Sequence, residues 1–159
     1  MFWDLPLFTR RATFGPIASA TVGLATRVSA ETRPTIKVSK DPNCGCCTSW
    51  VEYLRRNGFT GTVVETANMQ AVKTRLGVPA DLASCHTAEI AGYIIEGHVP
   101  AQAITRLMAE KPDALGLAVP GVPIGSRGME GGTPDLYDVI LFGKRSPTSF
   151  GRFIGDRPV

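Results

Sequence analysis

The sequence predicts a small α/β domain, with a mixed central sheet flanked by helices, behind a short N-terminal appendage. Three observations predict it. The chain has 159 residues, the size of one domain with one core. Beyond residue 30, β-branched runs that alternate in polarity are interleaved with segments whose apolar residues recur every three or four positions. Glycine, asparagine and proline punctuate the changes from one period to the other.

The appendage, Met1 to Ala30, reads as an export signal and not as fold. Thr9-Arg10-Arg11-Ala12-Thr13-Phe14 sets a twin arginine ahead of a moderately apolar stretch reaching Thr26. Val28-Ser29-Ala30 then supplies the small residues a signal peptidase requires, which predicts cleavage before Glu31. The pair resembles the signal of the twin-arginine (Tat) route, although adjacent arginines also occur in ordinary Sec signals. Gly15, Pro16 and Gly23 interrupt the apolar stretch, which is short for a membrane span. The alternative is an uncleaved amphipathic N-terminus or a membrane anchor. Residues 31–159 then form the mature domain, with no stable membrane span after cleavage.

Thr35-Ile36-Lys37-Val38-Ser39 alternates and is β-branched, so it predicts a first strand, broken by Asp41-Pro42-Asn43. From Cys47, apolar Val51 and Leu54 beside Trp50 mark one helix face, ended by Asn57-Gly58. Thr62 to Glu65 predicts a second strand. Asn68 suits the cap of a second helix with Met69, Val72 and Leu76 facing inward and Gly77 closing it. Tyr93 to Glu96 predicts a strand running into a tight turn at Gly97. Pro100 suits the first position of a third helix with Ile104, Leu107 and Met108 inward. Gly116 to Pro134, dense in glycine and proline, reads as a long functional loop. Tyr137 to Phe142 returns to strand character, and the tail from Ser146 adds one short strand. This order predicts an α/β sandwich of thioredoxin-like type.

The overall formal charge is +3, of which Arg10, Arg11 and Arg27 against Asp4 place +2 in the appendage. The remaining domain is nearly neutral and has no Lys/Arg run, which gives no electrostatic reason to expect nucleic acid or an acidic membrane as partner. Catalytic zinc histidine pairs, a serine–histidine–acid set and a phosphate-binding glycine loop are all missing. The Cys-x-x-Cys-His motif of covalent haem attachment is absent, since Thr48 follows Cys47.

The chemistry lies in Cys44, Cys46, Cys47 and Cys85. Three of them form Cys44-Gly45-Cys46-Cys47 at a strand-to-helix junction, where free amides and the helix dipole favour a thiolate. The fourth lies in Ser84-Cys85-His86-Thr87, ahead of the Tyr93 strand. A thioredoxin-like fold would bring that loop beside the start of the first helix, so that all four sulfurs converge. Three readings compete. Structural disulfides suit an exported domain, but three cysteines within four residues close almost no loop. Cys44 and Cys47 have the Cys-x-x-Cys spacing of a thiol–disulfide oxidoreductase, which leaves Cys46 unexplained. A metal–thiolate site uses all four, and thiolates suit Cu(I) and, less well here, zinc. Of the other donors, His86 stands beside Cys85. Met129, in the glycine-rich loop, offers a thioether to cover Cu(I). His98, alone at a turn, reads more readily as a surface or capping residue. Met69 and Met108 read as packing.

Asn43-Cys44-Gly45-Cys46-Cys47 with Trp50, Gly77-Val78-Pro79, Ser84-Cys85-His86-Thr87-Ala88, Gly92-Tyr93, Glu96-Gly97-His98-Val99-Pro100-Ala101, Gly116 to Gly121 and Gly128-Met129-Glu130 together resemble the CopG-type family. These are bacterial periplasmic metal-binding proteins, long described as a domain of unknown function and often encoded with copper-resistance genes. The resemblance runs through nearly the whole mature part. It implies a periplasmic, thioredoxin-like protein that holds copper, as one Cu(I) or as a multinuclear Cu(I)–thiolate cluster. It also implies a part in copper tolerance by sequestration or Cu(I)/Cu(II) redox handling, with copper ions and other periplasmic copper-handling proteins as partners. The implied metal donors are Cys44, Cys46, Cys47 and Cys85, with His86 and Met129 as neighbours. Val122 stands where such proteins often carry methionine, removing a thioether. Arg127 stands where they often carry proline, placing a cation near the loop.

Overall fold

The structure, a computed structural model, describes residues 34–159, so the signal reading of Met1 to Ala30 and its cleavage point lie outside the described residues. The order is β1 (Ile36–Lys40), α1 (Gly45–Arg56), β2 (Gly61–Glu65), α2 (Met69–Leu76), a 3-10 turn (Ala80–Leu82), β3 (Thr87–Ile90), β4 (Tyr93–Glu96), α3 (Ala101–Glu110), β5 (Gly116–Ala118), β6 (Leu136–Phe142), β7 (Thr148–Ile154) and β8 (Arg157–Pro158). Among the described residues the strands form one mixed eight-stranded sheet in the order β2-β1-β3-β4-β5-β6-β7-β8. β1 pairs with β2, and β4 with β5, in parallel. A parallel pair needs a crossover, and α1 and α3 are those crossovers. Every other pairing is antiparallel.

Strand alternation splits the interior into two. Ile95 joins a large cluster with Trp50, Val51 and Leu54 of α1 and Ile104 and Leu107 of α3. Its neighbour Ile94 joins a smaller cluster with Leu82, Ala118 and Phe142, against which Leu76 of α2 packs. Successive side chains of a strand point to opposite faces, so α1 and α3 cover one face and α2 the other.

Most predicted elements form within a residue or two of the expected bounds, and three details differ. In α2, Met69, Val72 and Leu76 are only half-buried, and the one fully buried residue is Lys73. Its ammonium is drawn inward by the buried Glu96 carboxylate, which it pairs, and by the Thr87 hydroxyl at 3.0 Å. Pro100 caps α3 in an extended conformation and does not begin it. The tail holds a seven-residue β7 and a short β8. In β7, Gly151 faces Val139 and Ser149 faces Ile140, so Phe150 between them is a bulge. The extra residue restores Phe150 and Phe153 to one buried side although an odd number of positions separates them.

One strand has no counterpart in the sequence reading. Thr87–Ile90 forms β3, joined to β4 by Ala91 and Gly92 at φ 49° and 84°. Two successive positive φ values make the type I′ turn that matches strand twist. Thr87 faces Glu96 across this hairpin, and the His86 carbonyl accepts from the Gly97 amide at 3.0 Å.

The glycine-rich segment begins as strand: β5 is fully buried between β4 and β6. Beyond it the loop is internally bonded. The Ile124 amide donates to the Asp135 carboxylate at 2.9 Å, the Gly125 amide to the Met129 carbonyl at 2.8 Å, and the Met129 amide to the Ser126 carbonyl at 2.8 Å. Arg127 ties it to the β7–β8 turn through Asp156 at 2.6 Å and lies over the Tyr53 ring.

Candidate metal centre

The first turn of α1 begins the site. Cys44 is its N-cap, and its sulfur accepts from the Cys47 amide at 3.3 Å, satisfying one of the donors a helix start leaves free. One turn on, Trp50 is fully buried and its indole donates to the Val99 carbonyl at 3.0 Å. That bond ties α1 to the segment after β4. Cys44 and Cys47 form a disulfide, so neither is the thiolate that the helix start alone would favour. Cys46 and Cys85 are free and half-buried, and the Cys46 sulfur is 3.5 Å from that of Cys44.

Cys85 arrives from the other side of the chain, on the loop into β3. The four sulfurs lie within 4.8 Å of one another, as the sequence predicts. A buried carboxylate holds this loop: Glu96, at the end of β4, accepts from the Ser84 amide at 2.6 Å and from the Thr87 hydroxyl at 2.6 Å while paired with Lys73. The Ser84 hydroxyl donates to the Gly121 carbonyl. Gly97 runs close by at φ 73°, and a β-carbon there would stand 2.5 Å from the Ser84 hydroxyl, so only glycine fits this turn.

Two imidazoles complete the arrangement. His86 Nδ1 and His98 Nε2 each lie 3.3 Å from the Cys85 sulfur, and both rings are fully buried. His86 packs against Trp50 with ring centres 4.3 Å apart, and its Nε2 has no hydrogen-bond partner among the described residues. His98 Nδ1 lies 3.1 Å from the Ser126 hydroxyl. His98 is thus not the surface or capping residue expected. The hairpin explains it: with Thr87 paired to Glu96, Cys85 and His86 must lie beside Gly97 and His98. Recognising β3 in the sequence would have placed His98 at the site.

Met129 is half-buried, one residue beyond Gly128. Gly128, at φ 101°, passes so close to α1 that a β-carbon would stand 2.5 Å from the Cys46 carbonyl. The loop carrying Met129 therefore crosses over the first turn of α1, while Val122 and Ile124 are exposed.

Burial, helped by the neighbouring Cys46, pushes the Cys85 thiol up to about 11. Burial, then His98 and Lys73, hold His86 well below the ordinary imidazole value, and burial brings His98 down to about 4. At neutral pH the site therefore presents a thiol and two uncharged rings. A soft cation reverses this balance at the sulfur, displacing the proton and neutralising the thiolate. The sulfur set fits a soft ion, and the adjoining Cys85, His86 and His98 donors lie within 4.8 Å of one another.

Fold and site define a small α/β protein with a cysteine–histidine centre at the start of its first helix. Two solved structures are similar to it. One is described as copper resistance protein copG, form 1, 45% identical, with a TM-score of 0.72 over 77% of this chain and 99% of that one. The other is form 2, also 45% identical with a TM-score of 0.72, over 76% of this chain and 98% of that one. Residues 82–129 match the family model described as protein of unknown function, DUF411. Comparison with curated proteins finds no match. The chain belongs to the CopG copper-resistance family.

Proposed function

We propose that this is a periplasmic protein that holds copper as Cu(I) through Cys44, Cys46, Cys47 and Cys85 in their reduced form. His86, His98 and Met129 are neighbouring donors, and the protein contributes to copper tolerance by sequestration or by Cu(I)/Cu(II) handling. One observation carries the reading: four sulfurs from segments far apart in sequence lie within 4.8 Å. Thiolates so close can bridge soft ions as well as ligate one, which favours a multinuclear cluster. The copper-resistance description of the similar structures points to copper over zinc. The thioredoxin-like reading is supported by the order β2-β1-β3-β4, by β3 running against both neighbours, and by helices following β1, β2 and β4. Export rests on the twin arginine and the small residues before Glu31. Among the described residues, no helix is long and apolar enough to cross a membrane.

The Cys44–Cys47 disulfide favours a second reading, a thiol–disulfide oxidoreductase working through that pair. The two readings share a step. A partner dithiol opens the disulfide to two thiols by exchange and becomes a disulfide itself; in the opposite direction two Cu(II) ions take the two electrons, leaving two Cu(I), one Cys44–Cys47 disulfide and two protons.

Two measurements separate the readings. Protein isolated anaerobically from copper-grown cells is expected to carry copper with its thiols reduced; copper-free protein contradicts the proposal. Cys46→Ser is expected to lose copper, whereas the oxidoreductase reading requires that variant to reduce insulin disulfides as well as the wild type does.

A further inference from the structure

The Ser126 hydroxyl lies between two groups that make different demands on it. It donates to the Pro123 carbonyl at 2.7 Å, and it stands 3.1 Å from His98 Nδ1. A carbonyl only accepts, and a hydroxyl has one proton, so Ser126 presents a lone pair to the ring. Nδ1 must then carry the hydrogen. His98 is fully buried and, among the described residues, no carboxylate hydrogen-bonds it; Glu130 favours the charged ring from a distance, but burial outweighs it, so the ring holds one proton. Its other nitrogen, Nε2, is left bare 3.3 Å from the Cys85 sulfur.

We infer that Ser126 is a positioning residue: it fixes His98 as the Nδ1–H tautomer, so that Nε2 is held ready beside Cys85 as a donor to bound copper. The donor role rests on the copper reading above; the tautomer does not. An outer hydrogen bond of this type sets which ring nitrogen binds a metal and keeps the ring oriented. Ser126 belongs to the glycine-rich loop, so the same contact couples that loop to the site. Removing the hydroxyl need not release the loop, because the Ser126 amide also donates to the Pro123 carbonyl at 3.1 Å and its carbonyl accepts from Met129.

The test begins with nitrogen-15 spectra of the imidazoles in the metal-free protein with the Cys44–Cys47 disulfide intact. The expected result is His98 protonated at Nδ1 and bare at Nε2. A proton on Nε2 in the wild type overturns the inference, whatever any variant does. Ser126→Ala is expected to move His98 toward the Nε2–H form, a change that a role in stability alone would not produce. In the reduced protein the same variant is expected to bind Cu(I) about tenfold more weakly. An unchanged tautomer in Ser126→Ala overturns the positioning role, and a changed tautomer with unchanged affinity overturns the donor role. Wild-type protein that fails to bind Cu(I), yet keeps the Nδ1–H tautomer, overturns the copper reading and the donor role with it.

Discussion

Cys85 is the residue on which both halves of the site depend. Its sulfur belongs to the four-cysteine group and to the group formed with His86 and His98. Serine is nearly isosteric, so Cys85→Ser is expected to keep the metal-free fold, judged by circular dichroism, while weakening Cu(I) binding by at least about tenfold, the scale of losing even an outer partner. His86→Ala should weaken binding less but destabilise the fold more, by roughly 2–4 kcal/mol, because it leaves a cavity against Trp50. The buried groups also set a pH profile for the metal-free, disulfide-containing protein. His86 and His98 take up protons more readily unfolded, so stability falls as pH drops below about 6.5. Of that loss roughly 3 kcal/mol is expected from His98, whose value lies near 4. Cys85 titrates near 11 when folded against an ordinary 9.0, so stability falls again between those values as pH rises. Denaturant melts across this range check both limbs; a flat acid limb would contradict the burial argument.

At the scale of elements, what the sequence conceals is the β3–β4 hairpin. Four residues, Thr87–Ile90, are too few to show a convincing period, and Ala91-Gly92 lacks the asparagine or aspartate that advertises a type I′ turn. Without the hairpin, Cys85 and His86 can be read as a site while His98 cannot. The elements around it were legible because their signals are local: Asn68 and Gly77 close α2 at both ends, with the Asn68 side chain accepting from Ala71 at 3.1 Å. Lys73 was not legible as a buried residue, since its partner Glu96 lies on another element. Ala91→Asn is therefore expected to raise the melting temperature by an amount equivalent to a few tenths of a kcal/mol up to about 1 kcal/mol, since asparagine tolerates positive φ better than alanine. Lys73→Met is expected to cost on the order of 3–5 kcal/mol, because it strands the Glu96 carboxylate in the interior.

At the scale of the molecule, two covalent states compete for the same sulfurs. The disulfide ties up Cys44 and Cys47, and the proposed copper-holding state needs both as thiolates. The disulfide joins residues three apart at the start of α1 and does not staple distant segments, so its reduction is expected to leave the fold in place; Cys85 is brought in by the hairpin and by Glu96. The most direct test of the proposed function is anaerobic titration of the reduced protein with Cu(I) against a chromophoric Cu(I) chelator. The account expects more than one Cu(I) per chain to be withheld from the chelator, and fewer in Cys85→Ser. A wild-type protein that yields all its copper to the chelator, or a Cys85→Ser variant that binds as the wild type does, would contradict it.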